Sequence, residues 1–304
     1  GDLHTAHICF EDGLIIYDCI EFNDRFRYCD VASEIAFLAM DLDHNGRADL
    51  ARSFVSSYIE NSGDSDIKKL LNFYKCYRAC VRGKVACFKL DDPYVPDENK
   101  KEAHYDAESY FDLACSYTNA TPTLFITSGL TGCGKSTIAQ ELAKRLGLVL
   151  LSSDVTRKKL ANIPLDKHCY GDINSGIYST EFSLLTYNKL FEEAEKVLKD
   201  GDSVIIDASF IKAADRQNAK KLAEDCGVKF FLIECKLDDE TARNRLAGRM
   251  DEKSVSDGRW EVYQAQKQGM EPVEGIPPSA HAIINSVKSN QENVSYVLDM
   301  IGYI

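Results

Sequence analysis

The chain has 304 residues, of which 44% are hydrophobic and 28% are charged, as is ordinary for a globular protein. Its formal net charge of −12 argues against broad contact with a nucleic-acid backbone, since such contact depends on clustered Lys and Arg. No stretch approaches the roughly 18 apolar residues of a membrane span, and its cysteines contain no CxxC pair, which is typical of reduced thiols. We therefore expect a cytoplasmic protein of two domains, without membrane contact, that acts on a small substrate or on a nucleic-acid end.

The first part of the chain has a helical pattern. Apolar residues recur at three- and four-residue spacing in DVASEIAFLAMDL, ADLARSFVSSYIE, IKKLLNFYKCYRACVRGKVACFKL and KKEAHYDAESYFDLACSY. Segments rich in Gly, Asn, Asp and Pro separate them. The pattern predicts a mainly helical domain over residues 1–118, a linker over 119–122 and a second domain over 123–304.

The second domain has a different rhythm. Short apolar runs, among them TLFIT, LVLLSS, SVIIDA and VKFFLIEC, alternate with helical segments. Strands that are almost entirely apolar and are separated by helices are typical of a parallel sheet covered on both faces. The fold class expected here is α/β, with a mostly parallel, doubly wound sheet.

The segment GLTGCGKST (129–137) fits the pattern G-x-x-x-x-G-K-[ST] between a predicted strand and a predicted helix. Glycine allows the backbone to fold around phosphate oxygens, and the following helix presents the positive end of its dipole. Lys135 is expected to reach the β and γ phosphates of ATP, and Ser136 to hold Mg²⁺. The residues predicted to bind ATP are Gly129, Thr131, Gly132, Cys133, Gly134, Lys135, Ser136 and Thr137.

Polar residues of three further segments, SSDVTRKKL, SVIIDASF and ARNRLAGRM, lie where a doubly wound sheet places ligands, past the carboxyl ends of strands. Asp154 is predicted to accept the proton of an attacking hydroxyl, and Arg157 to fix an anionic part of the substrate; helix capping is the alternative for Asp154. Asp207 is predicted to lie near Mg²⁺ or in the acceptor site. Arg245 and Arg249 are predicted to close over the transferred phosphoryl group, or else to form a solvated charged face.

Together with VIIDASFIKAADRQNAKKLAEDCGV and RNRLAGR, these segments resemble the P-loop kinases that include polynucleotide 5′-hydroxyl kinases, zeta-toxin-like kinases and chloramphenicol phosphotransferase. The resemblance covers most of the second domain. It implies that Asp154 is the catalytic base and that Arg157 and Arg216 contact the acceptor or phosphate. It also implies that Arg245 and Arg249 are lid arginines.

The opening segment GDLHTAH supplies Asp2, and LIIYDCIEFN supplies Asp18, in the manner of kinase catalytic and metal-binding loops. With YKCYRACVRGKVA, these segments resemble the C-terminal part of aminoglycoside-phosphotransferase-like proteins, in particular a bacterial group that fuses this domain to a P-loop kinase of the AAA-family ATPase type. His7 stands where the kinase pattern has a metal-binding Asn, and imidazole is a poor ligand for Mg²⁺. The N-terminal lobe of such a kinase is also not expected in this sequence. We therefore expect residues 1–118 to form a helical scaffold without catalysis.

The sequence therefore predicts an ATP- and Mg²⁺-dependent phosphotransferase that acts through its second domain on a hydroxyl of a small molecule. A 5′-hydroxyl polynucleotide kinase is one alternative. An ATP-binding regulatory or interaction module with slow hydrolysis is another. Asp154 and Arg157 favour transfer, because a switch needs a residue that positions water but no acceptor pocket.

Overall fold

The structure is a computed structural model, and it describes residues 1–118, 121–167, 175–248 and 258–302. The chain divides into two compact units. The first unit comprises Gly1–Ala120 and Leu142–Leu148, and the second comprises Thr121–Glu141 and Val149–Ile304. None of the described helices is long and apolar enough to cross a membrane.

The first unit is mainly helical, as expected. Its elements are β1 (Ile8–Phe10), β2 (Leu14–Ile16), α1 (Asp24–Arg27), α2 (Val31–His44), α3 (Ala48–Ser62), α4 (Lys68–Asp91) and α5 (Asp97–Ser116). β1 and β2 pair as an antiparallel hairpin. The four predicted helical segments correspond to α2, α3, α4 and α5, whose apolar faces the three- and four-residue spacing had indicated.

The core of this unit lies where α2, α4 and α5 pack together. Phe37 and Met40 of α2 contact a cluster that includes Leu113 of α5. The two long helices approach closely at Gly83, where a Cβ atom would lie 3.0 Å from the ring of Phe111. Any larger residue at this position would push α4 and α5 apart.

Polar groups inside the first unit pair with one another. The carboxylate of Asp43 accepts hydrogen bonds from Lys75 Nζ at 2.8 Å and from the Tyr117 hydroxyl at 2.6 Å. His44 and Ser109 form a further hydrogen bond of 2.7 Å. Buried charge is tolerated here because each group has a partner.

The second unit is built on a parallel sheet. Its described strands are β3 (Thr123–Ser128), β4 (Val149–Ser152), β5 (Val204–Asp207), β6 (Lys229–Lys236) and β7 (His281–Asn285). They lie in the order β4-β5-β3-β6-β7, and every neighbouring pair is parallel. The expected α/β fold class is therefore confirmed.

Helices lie between these strands or follow the last of them: α6 (Lys135–Leu146), α7 (Ser153–Leu160), α8 (Thr180–Lys199), α9 (Ala213–Cys226), α10 (Asp239–Gly248), α11 (Trp260–Gly269) and α12 (Asn290–Met300). All four residues of β5 are buried, as expected for a strand covered on both faces. The chain leaves β3 toward β4 on one side of the sheet and reaches β6 on the other. Ligands of such sheets bind beyond the carboxyl end of the strand where the order reverses, which here is β3.

Candidate active site

The loop between β3 and α6 follows a path that requires glycine. Gly129, Gly132 and Gly134 have φ angles of 138°, 81° and 81°, which side chains other than glycine rarely adopt. A Cβ atom on Gly129 would also lie 2.5 Å from the carbonyl oxygen of Cys235. The loop is therefore fixed against β6 at its start, in the strand-loop-helix setting that phosphate loops need.

Residues far along the chain hold this loop in place. The amide of Thr131 donates to Gln266 Oε1 at 2.7 Å, and the hydroxyl of Ser286 donates to the carbonyl of Cys133 at 2.6 Å. Gln266 belongs to α11, and Ser286 follows β7. The sequence reasoning missed both residues, because no motif surrounds them and only the tertiary fold brings them to the loop.

Lys135, Ser136 and Asp207 meet at the start of α6. Lys135 Nζ donates to the carbonyl of Leu130 at 2.8 Å, so the ammonium group lies over its own loop. The hydroxyl of Ser136 lies close enough to the carboxylate of Asp207 to lower its pKa, and this carboxylate accepts from Thr127 Oγ1 at 3.4 Å. The structure thus brings together three residues that the sequence predicted for the phosphate and metal site.

The Asp207 carboxylate is almost fully buried, at 7% exposure. Burial raises its pKa above the usual range, against the opposing effects of Ser136, Lys135 and Thr127. A buried carboxylate beside a hydroxyl offers the hard oxygen ligands that Mg²⁺ prefers. These two residues therefore fit a magnesium ion, whose charge would favour the ionised form of Asp207.

A cavity of about 370 Å³ opens beside the phosphate loop. Its lining includes Gly134, Thr137, Asn244, Arg245, Ser286 and Asn290. The volume falls in the range of small-molecule sites, and the amides and hydroxyls offer hydrogen bonds to a base or ribose. The cavity therefore fits the nucleoside part of a nucleotide whose phosphates lie in the loop, and Asn244 and Asn290 are binding candidates that the sequence reasoning missed.

Arg245 already lies at this cavity in the structure. Its Nη2 atom donates to the carbonyl of Ser286 at 2.6 Å, and its Nη1 atom is 3.8 Å from the position of a Cβ on Gly134. The guanidinium is thus next to the phosphate loop without any closure. Its predicted catalytic role stays a prediction, and Arg249 lies outside the described residues.

Asp154 lies in the first turn of α7, on the other side of β3. The helix has Ser152 at its N-cap position, so Asp154 is the second residue of the helix. An Asp in this turn interacts favourably with the helix dipole, which does not exclude a further role. The assignment of Asp154 as the catalytic base stays a prediction.

Arg157 follows one turn later and is buried. Its Nη1 atom donates to the carbonyl of Ile177 at 2.6 Å and to Ser183 Oγ at 3.2 Å, and its guanidinium lies 5.0 Å from the centre of the Tyr178 ring. Its Nε atom is buried and has no hydrogen-bond partner among the described residues. A buried donor of this kind costs free energy unless a ligand accepts from it.

Tyr187 of α8 adds a buried hydroxyl to this region. Its oxygen accepts from the amide of Phe210 at 3.2 Å. Burial, followed by the charge of Asp215, raises the pKa of Tyr187, with Arg157 lowering it and Asp154 adding to the rise. One electrostatic environment is therefore shared by Asp154, Arg157, Tyr187 and Asp215. The sequence reasoning missed Asp215, and it missed Tyr187 because this residue matches the periodic pattern of a core helix.

Arg216 is also buried, but it faces backbone. Its Nη1 atom donates to the carbonyl of Phe210 at 2.8 Å, and its Nη2 atom donates to Glu271 at 3.0 Å and Pro272 at 2.6 Å. Through these three carbonyls, Arg216 links the loop that contains Phe210 to the segment that contains Glu271 and Pro272. The predicted contact of Arg216 with acceptor or phosphate stays a prediction.

Cys133 and Cys235 form a buried thiol pair beneath the phosphate loop. A hydrogen bond from Cys235 lowers the pKa of Cys133 to about 6; burial opposes this shift, and the nearby ammonium of Lys135 supports it. The pKa of Cys235 is raised in turn by the same hydrogen bond. The sulfur of Cys133 lies 3.9 Å from Lys135 Nζ, which explains the contribution of this ammonium group to the shift.

Residues 124–273 match the family profile described as an AAA domain. The match includes the phosphate loop and most of the parallel sheet. Two curated relatives are "Uncharacterized protein Rv2004c" of Mycobacterium tuberculosis (strain H37Rv) and "Uncharacterized protein Mb2027c" of Mycobacterium bovis. Each is 33% identical over 251 residues, which cover 82% of this chain and 49% of the relative. The chain thus spans about half the length of the curated relatives it matches.

Solved structures similar to the chain include two kinases. A gluconokinase from Sinorhizobium meliloti 1021 has 16% identity and a TM-score of 0.42, covering 60% of this chain and 93% of its own. The APS kinase CysC of Mycobacterium tuberculosis has 18% identity and a TM-score of 0.43, covering 60% of this chain and 99% of its own. At this similarity, the substrate of neither kinase indicates the substrate of this chain.

Proposed function

We propose that the chain is a cytoplasmic, ATP- and Mg²⁺-dependent phosphotransferase that acts on a hydroxyl group of a small molecule. The observation that carries this proposal is that Lys135 and Ser136 both lie close enough to the Asp207 carboxylate to lower its pKa. A lysine, a hydroxyl and a carboxylate at a glycine-rich loop are the parts that P-loop enzymes use to hold nucleotide phosphates and their metal. The first unit, whose sequence resembles aminoglycoside-phosphotransferase-like proteins, is proposed to take no part in this activity.

The donor half of the site would hold ATP between the phosphate loop and the neighbouring cavity. Lys135 would leave the carbonyl of Leu130 and turn to the β and γ phosphates, and Arg245 would stabilise the phosphates or the ribose. Ser136 and Asp207 would hold Mg²⁺, which neutralises charge on the phosphates when bound. Asn244 and Asn290 would meet the nucleoside.

The acceptor half would receive the hydroxyl substrate near α7 and α8. Asp154 would take the proton of the substrate hydroxyl. The oxygen of that hydroxyl would bond to the γ-phosphorus, and the bond from this phosphorus to the β–γ bridging oxygen of ATP would break. Arg157 supports the presence of an acceptor, because its Nε donor is buried without a partner in the described part of the chain. The raised pKa of Tyr187 keeps that hydroxyl protonated and able to donate.

The test is phosphoryl transfer from γ-labelled ATP to a panel of sugars, amino alcohols, nucleosides and 5′-hydroxyl oligonucleotides. Transfer to a small molecule should fall by about 10²–10⁴ in Asp154→Asn, since the variant removes the base. Asp166→Asn, an exposed residue after the same helix, is the control and should behave as wild type. Transfer to the oligonucleotide alone would support the polynucleotide alternative. Slow hydrolysis that no acceptor enhances and that Asp154→Asn leaves unchanged would support the regulatory module.

A further inference from the structure

One peptide unit of the phosphate loop is held from both of its sides. The carbonyl oxygen of Leu130 accepts from Lys135 Nζ at 2.8 Å. The amide nitrogen of Thr131, which belongs to the same peptide unit, donates to Gln266 Oε1 at 2.7 Å. The carbonyl and the amide of a planar trans peptide point in opposite directions, so a turn of this peptide would change both contacts at once.

The position of Gln266 is itself fixed by the packing of α11 on α10. The hydroxyl of Tyr263 donates to Asp239 Oδ1 at 2.8 Å, and Lys267 Nζ donates to the same atom at 2.7 Å. The ring of Tyr263 stacks on that of Trp260, with ring centres 4.9 Å apart. These contacts lie on both sides of Gln266 in the sequence, so its amide group extends from a helix that is held in place.

Apolar contacts bring the loop to the same pair of helices. Leu130 packs against a buried cluster of α10 and α11, whose members are Ala242, Leu246 and Tyr263. A Cβ atom on Gly132 would lie 3.0 Å from the side chain of Leu246, so the loop approaches α10 closely at this glycine. The residues on either side of Thr131 therefore pack against the two helices, and Gln266 adds a polar contact between them.

The amide group of Gln266 also has a partner that favours its orientation. Its Nε2 atom lies 3.5 Å from Ser209 Oγ, while its Oε1 atom faces the loop. The reverse orientation would place the NH₂ group against the N–H of Thr131, and two donors cannot pair. Ser209 lies two residues after Asp207. Gln266 thus links the loop peptide to the segment that carries the carboxylate proposed to bind Mg²⁺.

We propose that Gln266 is a positioning residue of the nucleotide site, which holds the Leu130–Thr131 peptide and thereby the ammonium group of Lys135. The inference rests on the proposed function, in which Lys135 turns from this peptide to the phosphates of ATP. Without Gln266, the peptide could rotate and carry the ammonium group away from them. A residue that orders a binding site in advance strengthens binding, because the ligand does not have to order the site itself.

The test measures binding of a fluorescent, ribose-labelled ATP analogue with Mg²⁺ to the full chain. Gln266→Leu keeps a side chain of similar size but removes the acceptor of the Thr131 amide. It should weaken binding about tenfold, because a donor in a largely buried loop is left unpaired. Gln264→Leu is the matched control and should bind as wild type, since this glutamine lies on the same helix and is exposed.

A double-mutant cycle with Lys135 separates positioning of the lysine from general order of the loop. In the Lys135→Ala chain, Gln266→Leu should weaken binding by less than about twofold, since the group that Gln266 positions is absent. A tenfold loss in both backgrounds would show that Gln266 supports the loop without acting through the lysine. That result would overturn the proposal, as would wild-type affinity in Gln266→Leu.

Hydrogen exchange of the nucleotide-free chain tests the contact without ATP. Gln266→Leu should speed exchange of the Thr131 amide by about tenfold, and Gln264→Leu should leave it unchanged. If the wild-type chain did not bind the ATP analogue, the proposed function would fail and this inference with it. Binding by the wild-type chain, together with unchanged exchange in Gln266→Leu, would overturn this inference alone.

Discussion

Polar groups are buried in both units, but they are satisfied in different ways. In the first unit, Asp43 is held by both Lys75 and Tyr117, so its charge is matched inside the fold. In the second unit, Lys135 lies on a carbonyl of its own loop, and Arg157 Nε is buried without a partner in the described ranges. The burial of Asp207 also raises its pKa.

The difference separates polar groups that complete a structure from polar groups that await a ligand. A paired buried charge stabilises one conformation and is costly to disturb. An incompletely satisfied group lowers stability until a substrate or ion supplies its partner, which is common where function is located. The proposed nucleotide chemistry of the second unit rests on this difference.

The most direct test of this comparison is a substitution of Lys135. We expect Lys135→Ala to weaken ATP binding by about 10²–10³-fold, because the loop loses the charge that meets the β and γ phosphates. Calorimetric titration with a non-hydrolysable ATP analogue and Mg²⁺ measures the effect. Lys199→Ala, an exposed lysine of the same unit that pairs with Glu195, should bind normally. Equal losses in the two variants would show that the loop does not hold the phosphates.

For a buried charge in the first unit, we expect a substitution to lower stability without abolishing ATP binding. Lys75→Met leaves Asp43 buried without its cation, so the free energy of unfolding of this unit should fall by about 3 kcal/mol. Lys69→Met, which removes an exposed pair with Asp66, should change it by less than about 0.5 kcal/mol. Urea unfolding followed by circular dichroism measures both variants. If Lys75→Met abolished ATP binding under conditions where the chain stays folded, the assignment of nucleotide chemistry to the second unit would be wrong.

Many of the structural features behind the contrast between the two units could be predicted from sequence, because each is encoded by residues that are close together in the chain. The four helices of the first unit and the strands of the second follow from periodicity, and the phosphate loop follows from its glycines with Lys135 and Ser136. Asp207 could be placed because the carboxyl ends of parallel strands share one edge. These signals depend on neighbours within a few residues.

The remainder depends on contacts between distant segments. Gln266 and Ser286 reach the phosphate loop from 135 and 153 residues along the chain, and nothing in their local sequence indicates it. Arg216 resembles a ligand-binding arginine in sequence, yet its guanidinium donates to three backbone carbonyls. His7 was compared with an asparagine of the kinase pattern, and its proximity to His4 became visible only in three dimensions.

A smaller effect is expected at Arg245. Because its guanidinium already contacts Ser286 beside the phosphate loop, Arg245→Ala should weaken ATP binding about tenfold, or ~1.4 kcal/mol. Single-turnover transfer at saturating ATP separates this loss from an effect on the chemical step. A large fall in transfer with unchanged ATP affinity would instead support a lid arginine that acts only on the transition state. Arg243→Ala, on the same helix, is the control.

The smallest effect concerns stability and has the opposite sign from the others. The pKa of Asp207 is raised on folding, so its ionised form destabilises the nucleotide-free protein at pH values above the unfolded-state pKa. Asp207→Asn should therefore raise Tm by about 1–3 °C at pH 7, and this gain should shrink as the pH falls. Mg²⁺-dependent turnover should be lost in the same variant.

The control for this variant is Asp225→Asn, an exposed residue of α9, which should leave both Tm and turnover unchanged. Scanning calorimetry without nucleotide gives the Tm values, and γ-phosphate transfer gives turnover. A lower Tm in Asp207→Asn at pH 7 would show that the carboxylate is a structural partner of Thr127 and Ser136 rather than a charge that awaits an ion.

The central place of β3 in the sheet has a consequence for how such an enzyme can diversify. The cavity beside the phosphate loop draws on α10 and the segment after β7, on one side of β3, whereas Asp154 and Tyr187 come from α7 and α8 on the other. On the proposed function, substitutions in α7 and α8 would alter which hydroxyl is accepted without changing the cavity proposed for the nucleotide. A lineage could exchange one acceptor for another by replacing that helical pair, and an engineer could graft it onto a related sheet while keeping the same ATP half.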